Sequence, residues 1–158
     1  MQRLILLRHA EAEQSSTGGD FDRALTARGR RDARGAGETL AALGLEVDLV
    51  IVSAAKRALE TWEEARPSFP HARVEVAPSL YNGEPANLWA AAEDAEAERV
   101  LVIAHNPGMH ELVLELLTRA DALDQVCWGF PPAAAAAFTF DEGRPRFEAF
   151  HNPPEGAR

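Results

Sequence analysis

The sequence predicts an α/β fold built on a mostly parallel central sheet. Three observations carry this. Residues 4–7, 49–52 and 100–104 are short apolar runs without polar alternation. Such runs suit strands covered on both faces, as in parallel sheets. Segments with helical spacing lie between them, and alternating strands and helices build an α/β sheet. The C-terminal part reads differently: residues 133–140, a turn at 141–143 and residues 146–150 read as a β-hairpin.

In chain order, residues 4–7 form the first strand. Thr26 is placed to cap a helix running to about Leu43, with Gly44 as its stop. Ala33, Ala36, Leu40 and Leu43 lie near helical spacing on it. The second strand, 49–52, is followed by a helix over 56–65, and Val74 and Val76 hint at another strand. A helix over 85–95 precedes the third strand. Asn106-Pro107 reads as a helix start, with Asn as cap and Pro in the first turn. Leu112, Val113, Leu116 and Leu117 supply that helix's apolar face. The polar stretch 11–23 reads as a mobile loop beside the first strand, and the tail 152–158 as loose.

The 158 residues suit one domain spanning 1–158, with 46% apolar and 26% charged residues in the globular range. Sixteen basic against 25 acidic side chains leave a net charge of −9. That field disfavours nucleic acid and anionic membranes as partners. A single cysteine, Cys127, permits no internal disulfide and no Cys-rich zinc site. The apolar run at 4–7 is too short for a signal-peptide core or a membrane span, so a cytoplasmic location is expected. The oligomeric state is left open.

Ligands of open parallel sheets bind at the carboxyl ends of the strands. Arg8 and His9 follow the first apolar run. Ser53 follows the second, with Lys56 and Arg57 on the next helix, and His105 and Asn106 follow the third. Two histidines and two arginines thus converge on one sheet edge. Arginine's planar fork fits phosphate oxygens. A helix starting at Asn106 adds N–H groups and a positive dipole end. A neutral imidazole can attack phosphorus. These residues imply an anion site with two histidines and do not select which one is the nucleophile.

Leu7-Arg8-His9-Ala10-Glu11 resembles the Arg-His-Gly signature of the histidine phosphatase superfamily, which includes the phosphoglycerate mutases. Leu25-Thr26-Ala27-Arg28-Gly29 resembles its Leu-Thr-x-x-Gly segment, and residues 53–61 resemble its Ser-x-x-x-Arg-Ala-x-x-Thr segment. Ala104-His105-Asn106-Pro107 resembles its second-histidine segment. The resemblance implies a phosphoglycerate mutase-like fold, a three-layer α/β/α sandwich, and a transient phosphohistidine on His9. Arg8, Arg57 and His105 would complete the phosphate pocket, and no metal or nucleotide cofactor is expected. The Arg-His-Ala and Ala-His-Asn-Pro variants are similar to the SixA-type phosphohistidine phosphatases. The implied substrate is a phosphorylated protein, with a small phosphomonoester as the alternative. A mutase and a non-catalytic phospho-binding module are further readings. Glu84 is the candidate general acid by position, a role that a phosphohistidine leaving group would not require. Ala10 replaces the usual glycine and would be strained if that position needed φ > 0.

Several residues carry two readings. Ser53 either contacts phosphate or caps the following helix. Asn106 is a candidate phosphate contact as well as a cap. Glu11 either orients Arg8 or is a solvated loop charge. His71, His110 and His151 lack partners in the pattern, and Trp62, Trp89 and Trp128 read as packing residues. Gly35-Ala36-Gly37 lies inside a helical pattern without a third glycine and is rejected as a nucleotide loop.

Overall fold

The computed structural model describes residues 1–125 and 129–155. Cys127, Trp128 and the last three residues of the tail lie outside the described residues.

Six strands form one sheet in the order β3-β2-β4-β1-β5-β6. They are β1 (Arg3–Arg8), β2 (Leu49–Ser53), β3 (Arg73–Ala77), β4 (Arg99–Ala104), β5 (Ala135–Asp141) and β6 (Arg144–His151). The first four run parallel, β5 pairs antiparallel with β1, and β6 pairs antiparallel with β5. Glu142 and Gly143 both take positive φ (49° and 79°), as a two-residue turn closing twisted strands requires.

Helices α1 (Ala27–Ala42) and α2 (Lys56–Ala65) cover one face, and α3 (Pro85–Glu93) and α4 (Gly108–Arg119) the other. Alternation along each strand explains the unbroken apolar runs. Leu4 and Leu6 join the cluster built on α3 and α4, while Ile5 and Leu7 join the one built on α1 and α2. Leu49 and Ile51 separate from Val50 and Val52 in the same way. Each such side chain stabilises the sheet by about 1.5–3 kcal/mol of burial. The edge strand β3 is the exception, with Val74 and Val76 about half exposed.

Thr26 caps α1 as expected, its Oγ1 accepting from the N–H of Gly29 at 2.9 Å. Gly29 is required there because a Cβ would run into the carbonyl of Glu11. Gly44 takes φ +77° just past the end of the helix. Residues 35–37 lie inside α1.

The start of α4 differs from the expectation. The helix begins at Gly108, and Pro107 is its N-cap. A residue preceding proline is biased out of the helical region, so Asn106 lies one position outside the cap. Its Oδ1 still accepts from the N–H of His110 at 3.1 Å and serves the first turn from there.

The polar stretch 11–23 is also more ordered than its composition suggests. Ala12 bridges to Leu25, a 3-10 turn forms at Asp20–Asp22, and Asp20 is bound by a side chain of α2. Among the described residues, no helix is long and apolar enough to cross a membrane.

Candidate active site

Strand register sets the site. Arg8 at the end of β1 lies beside Ala104 at the end of β4, and Val52 of β2 pairs with Ile103 on the other side of β4. The next residues, His9, Ser53 and His105, therefore emerge side by side. The His9 and His105 rings lie 5.1 Å apart. Both are 7% exposed, and Arg57 is 5% exposed. The structure thus brings together the four residues on which the sequence converged.

His9 is oriented by its own loop. Its Nδ1 lies 2.8 Å from the carbonyl of Ala10. A carbonyl only accepts, so Nδ1 carries the proton and Nε2 is left with the lone pair. Burial pushes the His9 pKa down to about 3, aided by His105, Arg8 and Arg57 and opposed by the Ala10 hydrogen bond. The imidazole is neutral at ordinary pH. Ala10 has no positive φ, so alanine fits this position without strain. The N–H of Ala10 donates to Thr61 Oγ1 at 3.0 Å, and that hydroxyl donates to the carbonyl of Arg57 at 2.7 Å. One buried threonine ties the loop of His9 to the turn that presents Arg57.

Arg8 donates from Nη1 to the carbonyl of Phe130 at 3.0 Å. The same carbonyl accepts from Asn106 Nδ2 at 2.9 Å. Both ends of the Asn106 side chain are therefore engaged within the protein. Burial, then the charge of Arg57, lowers the Arg8 pKa from its ordinary value. Arg57 donates to the backbone carbonyl of Asp20 at 2.8 Å and to its carboxylate at 3.2 Å. Its guanidinium lies 5.8 Å from the centre of the Tyr81 ring.

Ser53 does not cap α2. Its Oγ is 2.7 Å from His105 Nε2 and accepts from the N–H of Ala55, while the cap residue of α2 is Ala55 itself. Ser53 therefore positions His105. Burial, followed by Arg57, pushes the His105 pKa down to about 4. Glu84 is exposed and forms a capping box with Asn87 at the start of α3. Glu11 accepts from Thr26 Oγ1 at 2.9 Å and so fastens α1, not Arg8. His110 stacks on Phe130 with ring centres 6.2 Å apart. Asp20, Tyr81 and Phe130 reach the site through loops and were not singled out from the sequence. Among the described residues, no group of three or more His, Cys, Asp or Glu side chains is gathered as a metal site would need.

Arg8 Nε, Arg57 Nε and His105 Nδ1 are buried without a hydrogen-bond partner among the described residues. Buried donors are normally satisfied. Three unspent nitrogens among two arginines and a histidine are what an anion pocket offers its ligand. A cleft of about 770 Å³ opens beside Arg8, lined by Asn106, Phe130, Pro131, Asn152 and Pro153 among others.

The model of the histidine phosphatase superfamily (branch 1) matches residues 4–82. The chain belongs to the histidine phosphatase superfamily.

Within that superfamily the chain is of the SixA type. The chain is similar to a protein assigned as the phosphohistidine phosphatase SixA of Agrobacterium tumefaciens, with a TM-score of 0.86 and 26% identity over 96% of this chain and 98% of that one. A SixA assignment from Nakamurella multipartitia matches with a TM-score of 0.82 and 29% identity, over 96% of each chain. The protein histidine phosphatase SixA complexed with tungstate matches with a TM-score of 0.76 and 30% identity, over 96% of this chain and 97% of that one. This histidine phosphatase is therefore an enzyme with a histidine nucleophile on a phosphoglycerate mutase-like fold.

Proposed function

We propose that the enzyme removes phosphoryl groups from phosphohistidine on a protein, with His9 as nucleophile. The observation that carries the reading is the orientation of His9, whose Nδ1–H is held by Ala10 while Nε2 keeps its lone pair beside Arg8, Arg57 and His105.

In the first step, His9 Nε2 attacks phosphorus and the bond from phosphorus to the substrate imidazole breaks. The substrate imidazole, protonated on its other nitrogen, departs as a neutral base. Arg8 and Arg57 stabilise charge on the transferring phosphoryl, and the ring N–H of His105 adds a third donor. In the second step, water attacks phosphorus, the bond to His9 Nε2 breaks, and inorganic phosphate leaves with the proton released to it or to solvent.

Such a leaving group needs no acid from the protein. That agrees with the carboxylates nearby. Glu84 is engaged in capping α3, and Asp20, which touches Arg57, has its pKa lowered to about 2. A phosphate ester would require an acid for its alkoxide. The similarity to a SixA solved with tungstate supports the same substrate class. The cleft of about 770 Å³ beside Arg8 leaves room for more of a substrate than a single phosphoryl group.

The experiment compares kcat/KM on a phosphohistidine-bearing protein with that on alkyl phosphomonoesters. The proposal expects the phosphohistidine protein to be preferred by several orders of magnitude. Preference for the esters would replace it with the small-molecule phosphatase reading.

A further inference from the structure

We propose that Asp20, Phe21 and Tyr81 form the leaving-group subsite and select a phosphorylated imidazole over other phosphoryl donors. The inference deepens the phosphohistidine reading and rests on it.

The three residues form one rim against the pocket. Tyr81 sits edge-on to His105 with ring centres 5.7 Å apart, and Phe21 sits edge-on to Tyr81 at 5.0 Å. Phe21 is 41% exposed, an aromatic ring left open on a polar loop. The Asp20 carboxylate lies among three donors: Tyr81 Oη at 2.5 Å, Arg57 Nη2 at 3.2 Å and Arg23 Nε at 2.9 Å. It is nonetheless half exposed, which leaves lone pairs free for a ligand.

The chemistry of this rim is one-sided. Those donors, the Tyr81 hydrogen bond first among them, hold the carboxylate ionised at neutral pH. It can accept a hydrogen bond and cannot give a proton to a departing alkoxide. Aromatic rings attract planar cations. A protonated phosphoimidazole presents what this rim lacks, a flat cationic ring with an N–H to donate. A sugar or glycerol phosphate presents neither, and an anionic leaving group would be repelled.

The subsite is tested with free phosphohistidine and acetyl phosphate, whose acetate leaving group is anionic, non-aromatic and needs no proton. The readout is the ratio of kcat/KM on the two. Asp20→Asn should lower the ratio about tenfold or more, the loss of one charge-assisted hydrogen bond. Phe21→Ser, which leaves the Asp20 contacts in place, should lower it about threefold. An unchanged or raised ratio in both variants would overturn the subsite. If Asp20→Asn speeds both substrates equally, Asp20 is only an internal competitor for Arg57, and the proposed function stands without the subsite. A wild-type enzyme that turns over acetyl phosphate but not phosphohistidine removes the substrate reading and the subsite together.

Discussion

Ser53 Oγ and His105 Nε2 lie 2.7 Å apart at the ends of two neighbouring strands, β2 and β4. The serine is fully buried and His105 nearly so. A rotating hydroxyl can donate to the imidazole or accept from it, so it can hold this ring in either protonation state. Ser53→Ala leaves the buried nitrogen without its partner. Stability should fall by about 1–3 kcal/mol, and kcat should fall with little change in KM. Denaturant unfolding and steady-state kinetics check the two effects, and Ser53→Thr should recover part of the loss.

Thr61 makes the second structural link, between Ala10 and the carbonyl of Arg57. Thr61→Val keeps the shape and removes the hydroxyl. The Ala10 N–H is then buried without an acceptor, at a cost of about 1–3 kcal/mol. Because that N–H lies beside the loop that orients His9, activity should drop further than the loss of stability explains. Activity measured well below the melting temperature separates the two.

Acid should destabilise the enzyme earlier than its carboxylates alone would. His9 and His105 have folded-state pKa values near 3 and 4, below the ordinary 6.5. The unfolded chain therefore takes up protons that the folded one refuses. The stability held above pH 6.5 is lost as pH falls through the window from 6.5 to about 3. Urea midpoints measured between pH 7 and 4 should fall steadily, and His105→Ala should flatten the slope.

Gly29→Ala tests the packing of α1 on the loop that follows His9. The added methyl would run into the carbonyl of Glu11. Either the loop shifts or the helix start unwinds, and the melting temperature should fall by several degrees. Ala27→Gly, one residue inside the cap and exposed, is the control for helix propensity and costs about 1 kcal/mol or less.

Glu84→Gln addresses the residue suggested by position as the acid. Removing its charge should weaken the cap of α3 by about 1 kcal/mol or less. Turnover of phosphohistidine should change little, since the leaving imidazole carries its own proton. A large loss with phosphohistidine would return Glu84 to the chemistry.

Arg8, His9, Arg57 and His105 were legible in the sequence because strands and adjoining helices place them. A residue just past a buried strand has little freedom in where it emerges. The contact between Ser53 and His105 was not legible, because it depends on β2 lying beside β4, a neighbour relation that chain order does not state. Asp20 and Tyr81 arrive on loops, and the polar composition of 11–23 reads as mobile until the buried Arg57 is seen to hold Asp20. Asn106 showed its capping chemistry in sequence, but the helix starts one residue later than that chemistry suggests. The alternation of β1 between two cores was implied by its unbroken apolar run, whereas the exposed β3 was visible only as Val74 and Val76.

The central claim is that His9 receives the phosphoryl group. Rapid quenching of the enzyme with a phosphohistidine protein into alkali, followed by peptide mass spectrometry, tests it directly. The account predicts an alkali-stable, acid-labile phosphoryl adduct on His9, absent from an inactive His9→Ala protein. An adduct on His105, or full turnover by His9→Ala, would contradict it.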